Sequence, residues 1–347
     1  MNILDVNEKV FTDNSIINYE YHTYQPYTNR FVNNDEIRIP IEEDMCTLPS
    51  QSHLYIEGKL TRQDGTASLT AKFVNNGIAF LFSEIRYEIN GIVVDSTSKV
   101  GLSSTMKALV SLTPNDSARY QNSGWFPTAN NATANATGRF NVCIPLQMLL
   151  GFAEDYRKVV LNIRQELVLI RSNTDQDAVI SPNADEALKH TWVIKTATSL
   201  ETPRYLIIGF QTDRDGKVDQ DASKFDHCDI KNVRVFLNTE RYPYDNLNIN
   251  YGNNRYATLY EMYAKFQSSY YDTENRPLFT PQQFKESAPL IVVDCSNQKE
   301  GLNSKSVVLR VEFETNSNIA NNTTAYCLIL HDRVFTYNAL SKVVRQL

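Results

Sequence analysis

The chain matches itself. Ile85-Arg86-Tyr87-Glu88-Ile89-Asn90 returns as Val233-Arg234-Val235-Phe236-Leu237-Asn238, and Val159-Val160-Leu161 returns as Val307-Val308-Leu309, each 148 residues further on. An interval this long repeats a whole domain, whereas solenoid repeats run to about 20–50 residues. Between the two anchors the order of signals is shared. Each half reads as a strand, a turn after asparagine, a short strand ending at Asp95 or Asp245, a helix, and then long strands. Upstream, Leu48-Pro49 and Tyr55-Ile56-Glu57-Gly58 resemble Pro203 and Tyr205-Leu206-Ile207-Ile208-Gly209, at slightly larger offsets. A chain of 347 residues is long enough for two medium domains, each with its own core.

Most of the chain reads as strand. Aromatic residues make up 11% of it, with 19 Tyr and 16 Phe, a composition that suits sheets better than helix bundles. In the first half, strands are expected at residues 37–41, 54–60, 78–82, 85–89, 92–94, 140–144 and 159–163. Asn90-Gly91 between the fourth and fifth is the strongest short hairpin signal. In the second half they are expected at residues 191–194, 205–208, 233–237, 290–293, 307–311 and 326–330. Leu102, Met106, Leu109 and Val110 predict a helix over residues 101–112. Tyr256, Leu259, Tyr260, Tyr263, Phe266 and Tyr270 predict a second over about 256–270, with the stripe facing a core. Residues 128–138 are small and polar and predict a long exposed loop. Residues 172–189 are polar, and the domain boundary is placed there. The expected divisions are an arm at 1–29, rich in tyrosine and reaching either its own domain or a neighbouring subunit, then lobes at 30–185 and 186–347. Each lobe has enough short strands for a two-sheet sandwich or barrel.

Charge and motif content exclude several function classes. The net charge of −6, with no run of like charge, argues against sequence-specific nucleic-acid binding, which needs clustered Lys and Arg. The opening MNILDVNEKVFTDN lacks the basic and apolar regions of a secretory signal, and no stretch approaches the 18 apolar residues of a membrane span. Cys46, Cys143, Cys228, Cys295 and Cys327 are odd in number and scattered, and are expected to be buried free thiols. The sequons at Asn115, Asn131, Asn135, Asn321 and Asn322 fall in asparagine-rich stretches and read as chance.

The most reactive-looking run is Asp226-His227-Cys228-Asp229, with His331-Asp332 as a distant partner. A metal or nucleophile needs partners at suitable spacing, and there is no His-x-His or Cys-x-x-Cys. The run reads instead as a loop whose Asp side chains bond local backbone. His22, His53, His190, His227 and His331 form no metal set, and neither phosphate-cradling glycine motif occurs. No catalytic, cofactor-binding or metal-binding residue is nominated, no cofactor is expected, and the chain is not read as an enzyme.

The sequence resembles the double jelly-roll major capsid proteins of DNA viruses, and among them the capsid-like proteins of Polinton/Maverick and adintovirus-like elements of invertebrates. The residues carrying the resemblance are Glu84 to Gly91, His190 to Thr196 running on to Tyr205, Gln211 to Arg214, Phe225 to Asp229, Asn238 to Asp245, and Thr324 to Arg333. The resemblance implies an all-β chain of two tandem jelly-roll β-barrels with short helices in long inter-strand loops. It implies a homotrimeric capsomer whose six lobes form a near-hexagonal tile of an icosahedral shell. Self-association would be the main partnership, with penton or minor capsid proteins as further partners. The expected location is the virion, assembled in host cytoplasm or nucleus. Two other readings stand beside it: a host-retained capsid descendant forming particles or trimers, and a jelly-roll module binding carbohydrate or a small ligand. One departure is visible. The first roll needs a closing strand that residues 172–189 are too short and too polar to supply, and residues 191–196 are read as opening the second roll.

Overall fold

The computed structural model describes residues 20–28, 31–41, 44, 46–61, 71–128, 138–180, 203–237, 240–243, 245–296, 309–332 and 334–346. In the first half these form β1 (Glu36–Ile41), β2 (His53–Lys59), β3 (Lys72–Phe73), α1 (Gly77–Phe80), β4 (Phe82–Ile89), β5 (Ile92–Ser98), α2 (Val100–Ser111), α3 (Pro114–Arg119), β6 (Arg139–Pro145), α4 (Gly151–Asp155), β7 (Gln165–Arg171) and β8 (Val179–Ile180). The second half has β9 (Pro203–Thr212), β10 (Ile230–Leu237), β11 (Glu240–Tyr242), α5 (Ala257–Ala264), α6 (Phe266–Tyr271), α7 (Pro281–Ser287), β12 (Ile291–Asp294), β13 (Leu309–Thr315), β14 (Thr323–His331), β15 (Phe335–Asn338) and β16 (Val343–Gln346).

The first half pairs β1-β7-β4-β5 in one sheet, β2-β6 in another and β3-β8 in a third; the second pairs β11-β10-β13 and β12-β9-β14. Every ladder is antiparallel. The halves therefore share a plan of sheets facing one another over apolar side chains, with helices in the long connections. Among the described residues the sheets stay open and no closed barrel forms.

The repeat survives in part. Ile85 stands opposite Leu169 on β7, and Val233 stands opposite Phe313 on β13. β4 and β10 are thus equivalent at 148 residues, while β7 and β13 are equivalent at 144. The second sequence match is out of register. Residues 159–163, expected as a strand, contribute only a bridge from Val160 to Thr47, because Asn162 turns the backbone left-handed at φ 52°. The true strand is β7, whose Gln-Glu-Leu-Val-Leu-Ile-Arg run the strand reading passed over. Of its counterpart in the second half, residues 307 and 308 lie outside the described residues, and Leu309 opens β13.

Other expectations are met or corrected locally. Asn90 and Gly91 take φ 51° and 76°, and the β4–β5 hairpin closes with Ile89 opposite Ile92. β5 runs past Asp95 to Ser98, and β11 stops at Tyr242, before Asp245. Residues 78–82 do not form a strand: α1 occupies Gly77–Phe80, entered from a left-handed Asn76, with all four of its residues buried. A short apolar run buried on every side looks the same in either state. The helix at 101–112 is α2. The long aromatic helix is broken at Lys265 into α5 and α6, yet Leu259, Tyr263 and Phe266 are buried as the stripe requires. In the described part of residues 172–189 the one strand is β8, two residues paired with β3; residues 181–202, which include the expected strand at 191–196, lie outside the described residues. So do residues 1–19 of the expected arm and most of the 128–138 loop.

One sequence match in the repeat has a packing cause. A Cβ on Gly58 would fall 2.7 Å from Phe140, and one on Gly209 would fall 2.6 Å from Phe225. In each half an aromatic ring lies directly on a strand glycine, so any side chain there would displace it.

Candidate functional site

The Asp226–Asp229 run feeds the chain into β10. Thr212 N donates to Asp226 Oδ2 at 2.8 Å, and Arg214 grips the same carboxylate through Nε at 3.2 Å and Nη2 at 2.7 Å. Asp229 N donates to His227 Nδ1 at 3.0 Å, and the imidazole stacks on Tyr251 with centroids 4.3 Å apart. Cys228 and Asp229 both adopt left-handed backbone, at φ 44° and 47°. Burial pushes the Cys228 thiol pKa up and the His227 imidazole pKa down, so both side chains are held neutral. A neutral thiol is a poor nucleophile and metal ligand. The cluster shapes a turn, but the Asp226 carboxylate is held by Thr212 and Arg214 and not by local backbone as the sequence reading expected. His331 ends β14 opposite Pro203, and its neighbour Asp332 pairs with Arg204 at 3.3 Å. Among the described residues no group of three or more His, Cys, Asp or Glu side chains gathers closely enough to hold a metal ion.

The structure instead concentrates buried polar contacts where the halves meet. α6 of the second half lies on α2 of the first. Tyr263 Oη donates to Leu109 O at 3.1 Å. Gln267 Nε2 donates to Ser111 O at 3.2 Å and Leu112 O at 3.3 Å, and also to Arg276 O, while Gln267 Oε1 accepts from Arg276 N at 2.6 Å. Tyr271 Oη donates to Glu154 Oε1 at 2.6 Å, and Lys107 pairs with the other oxygen of that carboxylate. On a separate loop, Gly216 N donates to Asp177 Oδ1 at 2.6 Å. Asp177 and Asp155 both have raised pKa values, each chiefly through burial, with Asp215 and Glu154 respectively adding repulsion. Sequence reasoning missed this seam. Its one legible signal is Gln267, a polar residue four positions after Tyr263 on an otherwise apolar face.

The outward faces of the two main sheets carry matching arginines from the repeat. Arg86 on β4 pairs with Glu36 and Glu84 at 3.3 Å and with Glu88 at 3.7 Å. Arg234 on β10 pairs with Glu314 at 2.7 Å. Arg38 and Arg86 both stand opposite Val168, which is wholly buried although it lies outside the main core. The arginine stems cover it while their heads meet carboxylates. These networks join neighbouring strands and leave few free charges on that face.

The rest of the surface is mixed. Of the cysteines only Cys295 is buried; Cys46 is exposed and Cys143, Cys228 and Cys327 are half-buried, all as free thiols. Cys46 departs from the expected burial because it sits in the irregular link between β1 and β2. In the arm, Tyr27 N donates to Arg38 O at 3.0 Å along the free edge of β1, while Tyr21 and Tyr27 remain exposed. Among the described residues no helix is long and apolar enough to cross a membrane.

With this geometry established, comparison with known proteins is informative about the fold. A family model described as double jelly roll-like domain matches twice, over residues 71–188 and 180–335. The mavirus major capsid protein is 12% identical, with 92% of this chain and 89% of that one covered and a TM-score of 0.43. The Faustovirus major capsid protein is 11% identical, with 90% of each chain covered and a TM-score of 0.46. A chain of the Sputnik virophage structure is 10% identical, with 100% of this chain and 93% of that one covered and a TM-score of 0.49. No curated protein sequence matches. The doubled match runs from β3 through β14 and takes in the seam between the halves, and the chain belongs to the double jelly roll-like domain family.

Proposed function

We propose that this chain is a major capsid-type subunit, a structural and non-enzymatic protein that acts through self-assembly in a virion. The observation that carries the reading is the doubled family match laid over two halves of like sheet plan, docked through α2 and α6. Two similar lobes in one chain give six lobes in a trimer, which tile a surface with near-sixfold symmetry and one repeated set of contacts. On this reading three copies form a capsomer, capsomers tile an icosahedral shell, and penton or minor capsid proteins fill its special positions. The virus would be a DNA virus of the Polinton/Maverick kind. Ion-paired sheet faces and a shaped turn in place of a reactive cluster accord with a geometric role.

Light scattering on the purified chain after size exclusion tests the first step. A particle of three times the chain mass supports the reading. A strict monomer across the accessible concentration range, or a monomer carrying bound carbohydrate, contradicts it.

A further inference from the structure

We propose that the C-terminal hairpin, β15 with β16, is a strap that pins the second half to the turns of the first. Among the described residues the two strands pair with each other, as a separate two-stranded sheet, and join neither sheet of the half they follow in sequence. Two turns of the first half converge at the hairpin, through three hydrogen bonds. Asn90 Nδ2, in the β4–β5 turn, donates to Lys342 O at 3.1 Å. Asn162 Nδ2, in the turn before β7, donates to Ala339 O at 2.9 Å. Tyr337 Oη reaches back to Leu161 O in that same turn.

The pins have a common design. Asn90 and Asn162 are left-handed, with φ 51° and 52°, a conformation asparagine tolerates better than most residues. In such turns an asparagine side chain commonly bonds its own backbone. Here both amides are directed to the hairpin, on either side of its tip. Packing supplies the rest: Val344 is buried, and Phe335 and Tyr337 lie against the core, while Leu340 at the tip is 95% exposed. An isolated two-stranded hairpin is marginal in water. Its order therefore depends on the first half, and in return it adds a link between the halves besides the α2–α6 seam.

The test uses the full, unassembled chain, so its outcome is independent of whether shells form. In the double variant Asn90→Gly, Asn162→Gly, glycine keeps the left-handed turns and removes only the amide donors. Hydrogen exchange of residues 335–346 should accelerate at least about tenfold, the loss expected when two side-chain hydrogen bonds of ordinary strength are removed. Exchange in β4, β5 and β7 should stay as it was. Deleting residues 334–347 should leave a cooperative melt but speed exchange at residues 89–92 and 160–164. Unchanged protection of the hairpin in the double variant overturns the proposal, and so does unchanged protection of those two turns in the truncated chain.

Discussion

Gln267 shows what a single side chain contributes. Its amide satisfies three carbonyls on two sides of the seam and one backbone N–H. Replacing it by alanine removes the partner of these half-buried groups, at a cost of about 1–3 kcal/mol. The expected result for Gln267→Ala is a lowered urea midpoint, equivalent to that loss of stability, with far-UV circular dichroism preserved; an unchanged midpoint would mean the carbonyls find other donors. At this scale the sequence was uneven. The Asp226 run was legible as a turn but not in its bonding, because its carboxylate is held by Thr212 and Arg214, 14 and 12 residues away, and not by local backbone. Gln267 stands out as a polar residue on an apolar face, but its partners at residues 111 and 112 of the other half were not legible, because no local pattern reports contacts over that separation.

Elements were legible where one face is buried and the other is not. β1, β2 and β4 alternate as half-buried strands do, and the stripes of α2, α5 and α6 followed helical spacing. The misread elements lack that contrast. All of α1 is buried, so periodicity had nothing to report. β7 is central in its sheet and buried along most of its length, and its flanking Val159-Val160-Leu161 looked more strand-like than it is. The repeat offset misled for the same reason: short apolar runs recur, and only pairing fixes register. The arm is also an element-scale question. In its described part Tyr27 donates a backbone hydrogen bond to the edge of β1, and Tyr21 and Tyr27 keep their side chains exposed. Deleting residues 1–29 should therefore lower the melting temperature little and reduce the yield of assembled particles. Particle yield equal to that of the full chain would refute a role for the arm between subunits.

For the whole molecule, the seam decides whether two lobes behave as one rigid tile. The partly buried Asp177 makes this pH-dependent. Asp177 has a folded-state pKa above its unfolded value of about 4. Its ionised form is therefore penalised in the folded state, and the penalty sets in as pH rises through the folded pKa. Asp177→Asn keeps an acceptor for Gly216 N and removes that penalty. The variant's stability relative to the parent chain should be lowest near pH 4 and rise toward pH 7, read from urea midpoints across that range. A difference constant with pH would show that Asp177 is not desolvated at the seam. The most direct measurement on the molecule's role is electron microscopy of the purified full-length protein. Six-lobed trimers, and closed shells tiled by them, are the predicted images. Fields of dispersed single two-lobed particles at every concentration and salt condition tried would contradict a shell-forming subunit.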